Sequence, residues 1–202
     1  MVKLCNSRTF LAAIPKYFIF MVTKKKVVTL SANTSWYLYN FRKSTIDRFI
    51  KDGYEVFCIA PKDAHTKKLK DLGCNWFDLK MNNQGHNPFK DLVIIFRLFY
   101  IYTKLKPVVA FHFTVKNNIY GTWASFFSNT PAVNNISGLG TAFIKKGFLS
   151  FIVKILYRLS QPMAKRVYSQ NIEDFNLLAN KKLISRKKLF LLPGSGVDIN
   201  KF

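Results

Sequence analysis

The sequence predicts an α/β protein built on a Rossmann-like, doubly wound parallel sheet. Three observations carry that prediction. Short β-type runs alternate with helical runs from Lys26 onward, the order that repeated strand–helix–strand units produce. The first run, VVTLS at Val27–Ser31, lacks the polar alternation of a strand with one wet face, as buried parallel strands do. Finally, 49% apolar and 21% charged residues in a chain of 202 are ordinary globular values. A chain of this length buries about 70% of the surface it exposes when unfolded.

The elements follow in order. Tyr39 to Lys51 reads as a helix, and Asp52-Gly53 ends it with a glycine cap. Tyr54 to Ala60 is the second strand, closed by Pro61. Asp63 to Leu72 is a polar helix stopped by Gly73, and Trp76 to Leu79 is a short third strand. Asn82 to Pro88 is a loop by composition. Phe89 to Lys106 is a long helix with Arg97 the only charge between Leu92 and Tyr102. Such a helix needs burial on several faces or contact with lipid. Pro107 ends it. The remaining strands are Val108 to Phe111, Ala132 to Ile136, Arg166 to Ser169 and Leu189 to Leu192, with a helix at Asn117 to Phe127 and another opening near Glu173.

Residues 1–24 read as an N-terminal extension outside the fold, and residues 25–202 as one domain. Leu11 to Val22 is apolar apart from Lys16, but Pro15 interrupts it. It is shorter than the roughly 20 residues a spanning helix needs. No small-residue cleavage site of a signal peptide follows. Lys24, Lys25 and Lys26 follow instead, and Met21 offers a more natural start.

Lys and Arg number 32 against 10 Asp and Glu, a formal net charge of +22, and aromatics reach 16% with 20 Phe. Such a chain expects an anionic neighbour: nucleic acid, an anionic lipid surface or a phosphorylated ligand. Cys5, Cys58 and Cys74 have no CxxC spacing, which argues against a disulfide framework or a cysteine metal site. His65, His86 and His112 lack zinc-site spacing.

In a doubly wound sheet, ligands sit beyond the carboxyl ends of the strands. The loop after the first strand holds Asn33, Thr34, Ser35, Trp36, Asn40 and Arg42. It has no GxGxxG, which excludes the usual dinucleotide site. Its small polar residues also suit a helix N-cap. After the fourth strand come His112, Lys116 and Asn118. His112 there is a donor or base facing the crevice, or a neutral ring bonded to the protein. Ser137, Gly138 and Gly140 follow the fifth strand as an anion-approaching glycine loop or a plain turn. Gln170-Asn171 caps the next helix, and Gly194, Ser195, Gly196 and Asp198 close the chain. Between Lys145 and Arg166, the residues Lys154, Arg158 and Lys165 fall within roughly 40° of one another on a helical wheel. With Lys145 and Lys146 they make a basic amphipathic helix able to lie on an anionic bilayer, or a core helix with a solvated face.

The segments NTSWYLYNFR, GYEVFCIAP, HFTVKNNIYG, NNISGLGTAF, SQN and LPGSGVD, in that order, resemble family 4 glycosyltransferases. The nearest subgroup is bacterial enzymes that add a sugar to a lipid-linked saccharide. The resemblance runs from about Lys25 to Phe202. It implies the N-terminal, acceptor-side half of a two-domain GT-B fold, with the C-terminal donor domain absent. It implies retaining transfer from a nucleotide sugar to an undecaprenyl-diphosphate-linked acceptor, with no metal or other cofactor. Partners would be the nucleotide-sugar donor, the lipid-linked acceptor, an anionic membrane surface and a separately encoded donor half. The chain would be cytoplasmic, peripheral on the inner face of the plasma membrane, and incomplete as a catalyst alone. His112 would contact the donor sugar or acceptor hydroxyl. The residues named after the first, fourth and fifth strands would bind the acceptor, Gly194 to Asp198 would approach the hinge, and the lysines and Arg158 would face the membrane. Phe111 stands where relatives tend to carry a second His, and Asn117 where Pro is usual.

Three other readings compete. A nucleic-acid-binding module would need exposed aromatics along a basic groove, whereas most aromatics here fall in apolar helices and strands. A sugar-nucleotide epimerase of the same shape would need catalytic carboxylates, and Glu173 and Asp174 are the only acids between Asp91 and Asp198. A vestigial or scaffold role at the membrane is the third.

Overall fold

The structure, a computed structural model, describes residues 25–81, 88–139 and 147–196. The expected extension, residues 1–24, lies outside the described residues, as do Gly140, Lys145, Lys146 and Asp198.

Seven strands form the sheet: β1 Val27–Ser31, β2 Glu55–Ala60, β3 Asn75–Asp78, β4 Val109–Phe113, β5 Ala132–Ile136, β6 Arg166–Ser169 and β7 Leu189–Leu191. Their spatial order is β3-β2-β1-β4-β5-β6-β7, and every neighbouring pair is parallel. The chain therefore starts in the middle, winds outward to β3, returns beside β1, and winds outward the other way. Right-handed crossovers then put the helices before and after the reversal on opposite faces.

Two cores follow from this. On the first face, α1 (Ser35–Lys51) and α2 (Thr66–Asp71) lay Leu38, Ile46 and Leu69 on Val28, Leu30 and Cys58. On the second, α3 (Pro88–Leu105), α4 (Thr122–Phe127), α5 (Phe148–Ser160) and α6 (Ile172–Asn180) cover Ala110, Ala132, Val167 and Leu189 with Leu98, Tyr102, Ala124, Tyr157 and Leu178.

The strands lie where the sequence puts them, within two residues at each end. The helix starts differ for local reasons. Helix α1 opens at Ser35, not Tyr39, because Thr34 caps it: Thr34 Oγ1 accepts the Tyr37 N–H at 3.0 Å. Helix α2 opens at Thr66, not Asp63. The Asp63 carboxylate instead accepts the His65 N–H at 2.7 Å and the Trp36 N–H at 2.8 Å, holding residues 63–65 as a turn. Helix α5 ends at Ser160, and a 3-10 turn, Gln161–Met163, follows with Pro162 inside it. Lys165 therefore leaves the helix that was to align it with Lys154 and Arg158.

A π-helix, Asn117–Gly121, runs into α4. Its last residue presses backbone against the His112 ring, and a Cβ at Gly121 would fall 2.6 Å from His112 Cδ2. Only glycine permits that approach. Gly121→Ala is expected to destabilise the fold by about 1–3 kcal/mol through overpacking of a ring that cannot retreat. Denaturant unfolding of wild type and variant checks it.

Candidate functional site at the carboxyl rim

The winding reverses between β1 and β4, so the carboxyl ends of these two strands open the crevice where such sheets bind ligands. Most of the predicted residues do come to this rim, but several serve the fold. Thr34 is the cap. Ser35 is buried: its Oγ donates to the Pro61 carbonyl at 2.9 Å and accepts from Thr66 Oγ1 at 3.2 Å and Trp76 Nε1 at 3.1 Å. Asn33 is half-buried in the turn before them. Trp36, 46% exposed, meets Phe41 edge-on at 5.5 Å, and Asn40 Nδ2 donates to the Trp36 carbonyl at 2.9 Å. Trp36, Asn40 and Phe41 are the exposed groups of this turn.

Arg42 was expected to reach a ligand, yet it is 5% exposed. Its Nη2 donates to Tyr37 Oη at 2.9 Å and to Ser195 Oγ at 3.3 Å, and its guanidinium lies 4.5 Å from the Phe113 ring centre.

His112 lies inside β4, which runs on to Phe113, and is fully buried. The expected strand stopped at Phe111, which would have turned His112 toward the crevice. The ring faces the core instead, with both nitrogens engaged: Nδ1 is 2.8 Å from Asn134 Oδ1, and Nε2 is 3.1 Å from Tyr102 Oη and 3.4 Å from Ser125 Oγ. Asn134 Nδ2 donates to Gln161 Oε1 at 2.6 Å and to Thr122 Oγ1 at 2.7 Å. Its Oδ1 must then accept, so His112 Nδ1 carries the proton and Nε2 accepts. The contact with sugar or hydroxyl that the resemblance implied has no open nitrogen here. Asn134 and Gln161 were missed, although the two polar residues within strand AVNNI were a signal of buried partners.

Thr114, just past β4, holds φ +70, a genuine outlier for a β-branched residue. Lys116 is not simply poised for a ligand: it pairs with Asp91 at 2.8 Å, and Tyr120 Oη donates to the same carboxylate at 2.7 Å. Burial, reinforced by Asp91, pushes the Tyr120 phenol up. Asn118 is buried, with Nδ2 donating to the Asn135 carbonyl at 3.1 Å. Ser137 and Gly138 are exposed, and open space surrounds Gly138. The next residue is tied down, because the Leu139 N–H donates to Asp174 at 3.1 Å. Asn171 caps α6 as expected, its Oδ1 accepting the Asp174 N–H at 2.7 Å. Gln170 and Ser195 exchange hydrogen bonds at 3.0 and 3.2 Å.

A family model of glycosyl transferase 4-like proteins matches residues 26–171, which span this sheet from β1 to the start of α6. The chain belongs to the glycosyl transferase 4-like family. It is 28% identical over 176 residues to N,N'-diacetylbacillosaminyl-diphospho-undecaprenol alpha-1,3-N-acetylgalactosaminyltransferase of Campylobacter jejuni, covering 82% of this chain and 45% of that protein. The chain thus spans less than half the length of this curated relative. Among solved structures, a glycosyltransferase from Rickettsia africae matches with a TM-score of 0.61 at 15% identity, over 83% of this chain and 42% of that one. UDP-GlcNAc 2-epimerase from Neisseria meningitidis, bound to UDP-GlcNAc, matches with 0.59 at 13%, over 84% and 47%. These two likenesses show a common fold.

In this glycosyl transferase 4-like domain, the described residues contain no group of three His, Cys, Asp or Glu side chains placed to hold a metal. Cys58 and Cys74 are both buried and their sulfurs lie 3.5 Å apart, a proximity that the spacing in sequence does not reveal.

Burial pushes His112 down to about 4 from its ordinary 6.5, against the Asn134 contact, which raises it. Between those values an unfolded chain takes up a proton that the folded one refuses. Stability supplied by the neutral ring is therefore complete above pH 6.5 and lost as pH falls to about 4, on the order of 3 kcal/mol in full. In His112→Gln, unfolding measured from pH 7 to 4 should lose this component of the pH slope.

Proposed function

We propose that this domain supplies the acceptor side of a retaining transfer, from a nucleotide sugar to an undecaprenyl-diphosphate-linked saccharide, at the inner face of the plasma membrane. Donor-binding groups would come from the part of the relatives' length that this chain does not span. Family membership supports sugar transfer, and the Campylobacter relative acts, by its name, on a diphospho-undecaprenol acceptor.

One observation carries the lipid-linked part. On α5, Phe148, Phe151, Ile155 and Leu159 form one exposed stripe, with Phe148 79% exposed, while Ser150, Val153, Tyr157 and Ser160 are buried. The sequence left two alternatives for this helix, a bilayer-facing one and a core helix with a basic solvated face, and the exposed apolar stripe favours the first. On the same face of the sheet, α3 exposes Leu92, Val93, Phe96 and Tyr100, and α4 exposes Phe126 and Phe127. The only acid on these three helices is the buried, paired Asp91. Arg158 is exposed and Lys154 half-buried beside the α5 stripe, and Lys165 is exposed beyond it. Apolar rings edged by cations and free of carboxylates suit an anionic lipid surface. No helix among the described residues is long and apolar enough to cross a membrane, and the contact proposed here is a peripheral one. Within the rim, Trp36 and Asn40 are the exposed groups for the acceptor saccharide, with Ser137 and Gly138 across the crevice.

Vesicle sedimentation tests the proposal. Retention on phosphatidylglycerol vesicles should fall at least about tenfold in Phe148→Ser/Phe151→Ser, since each ring contributes kcal-scale burial. Adding undecaprenyl-diphosphate saccharide should raise retention of wild type, and Trp36→Ala should reduce that increment alone. Equal retention with and without the saccharide lipid would remove the acceptor reading.

A further inference from the structure

Arg42 carries a role that sequence and family leave unassigned. It is a buried cation, and no carboxylate among the described residues pairs with it; the two ion pairs there are Arg48–Asp52 and Lys116–Asp91. Its Nε has no hydrogen-bond partner among the described residues. Burying a charge on these terms is costly. The compensation is aromatic and local: the guanidinium sits 4.5 Å from the Phe113 ring centre and 5.6 Å from that of Tyr37. A methionine of similar length would fill the same space without the cost. What the cation adds is the pair of contacts at its outer end.

Those contacts join distant parts of the chain. After β7 the Leu192 N–H donates to the Ser169 carbonyl at 2.8 Å, which carries the parallel pairing with β6 one residue further. Gly194 and Gly196 hold φ +71 and +75 on either side of Ser195, a turn that other residues enter only with strain. The turn delivers Ser195 Oγ both to Gln170, past β6, and to Arg42 on α1. The same Arg42 nitrogen, Nη2, also holds Tyr37 Oη. Tyr37 stands in the first turn of α1, with its N–H on Thr34. One guanidinium nitrogen thus touches the helix start that carries the acceptor loop and the segment by which the chain leaves the sheet.

We propose that Arg42 is a positioning residue: it clasps the exit segment Leu192–Gly196 to the acceptor loop, so that the placement of this segment depends on the first turn of α1. The significance for transfer rests on the acceptor-side reading above. The clasp itself does not, and the experiment reads the clasp without substrate, so either can fail alone.

Amide hydrogen exchange on the full chain decides it. In Arg42→Met and Ser195→Ala, exchange across residues 192–196 should rise about tenfold, the factor set by losing a charge-assisted hydrogen bond. Amides of β1, β4 and β5 should keep their protection. Arg42→Met should also loosen residues 34–37, which Ser195→Ala should leave alone. Ser195→Thr keeps the hydroxyl and should keep wild-type protection. Unchanged exchange at 192–196 in Ser195→Ala would overturn the proposal, as would Ser195→Thr behaving like Ser195→Ala. If Arg42→Met unfolds the chain, Gln170→Ala is set beside Ser195→Ala: loosening of residues 192–196 as large in Gln170→Ala as in Ser195→Ala would assign the clasp to Gln170 and overturn the proposal.

Discussion

The imidazole of His112, neutral and sealed beneath the crevice, fixes where the carboxyl rim stands. Its Nδ1–H meets Asn134 on β5, and Asn134 passes the requirement to Gln161 at the end of α5 and to Thr122 at the start of α4. Thr122 Oγ1 and Gln161 Nε2 both donate to the Asn118 carbonyl, at 2.7 and 3.0 Å. That carbonyl lies in the π-helix, whose wider ladder frees acceptors that an α-helix would satisfy. The irregular turn is thereby stabilised by the network beneath it, and the network is completed by the turn. In a dry interior each such bond is strong and each orphan costly. Two strands and two helices are therefore registered against one another by polar groups that can be satisfied in one arrangement only.

This registration reaches the rim through Thr114. Its carbonyl accepts the Asn118 N–H at 2.9 Å, and its hydroxyl accepts Asn117 Nδ2 at 3.2 Å. A left-handed threonine costs on the order of 1 kcal/mol or more, and these bonds hold it there. The same corner places Lys116 over Asp91, tying the loop after β4 to the first turn of α3. A partly buried pair of this kind sets position more than it adds stability. The floor of the crevice is thus tied together by polar contacts, and its exposed variety sits in the aromatic turn after β1 and the open turn after β5.

The strands were legible because most of them are short apolar runs, several bounded by Gly, Pro or Asn. That signal is local. The alternation of runs then fixes one sheet and, through crossover handedness, two covered faces. What was illegible depends on contacts across the sheet. Nothing within HFTVKNN says that β4 continues through His112, because its pairing with Ser31 and Asn134 does so. Nothing near Arg42 reveals Ser195, 153 residues away. The wheel that aligned Lys154, Arg158 and Lys165 assumed a continuous helix and gave Pro162 no weight. It also left open whether the apolar side of α5 is buried or faces a bilayer, because burial is decided by the residues that meet the core, here Ser150, Val153, Tyr157 and Ser160.

The placement of aromatics also separates two readings of a net charge of +22. A chain that grips single-stranded nucleic acid stacks bases on aromatics lining a concave basic track. Here most of the exposed rings lie along α3, α4 and α5, on the outer surface of helices packed over a parallel sheet, with Trp36, Phe41 and Phe190 the exceptions among the described residues. On α5 the exposed apolar residues follow helical spacing, which suits the contact with a lipid surface proposed above. The cations lie beside the stripe, and long basic side chains there can keep their stems on apolar surface and their charges at its edge. The crevice, by contrast, has its described cations held in place: Arg42 by aromatics and hydroxyls, Lys116 by Asp91. Exposed cations thus stand beside exposed apolar rings on the helical face, whereas in the crevice Arg42 and Lys116 are held by protein groups, a division that suits the acceptor-side role proposed above.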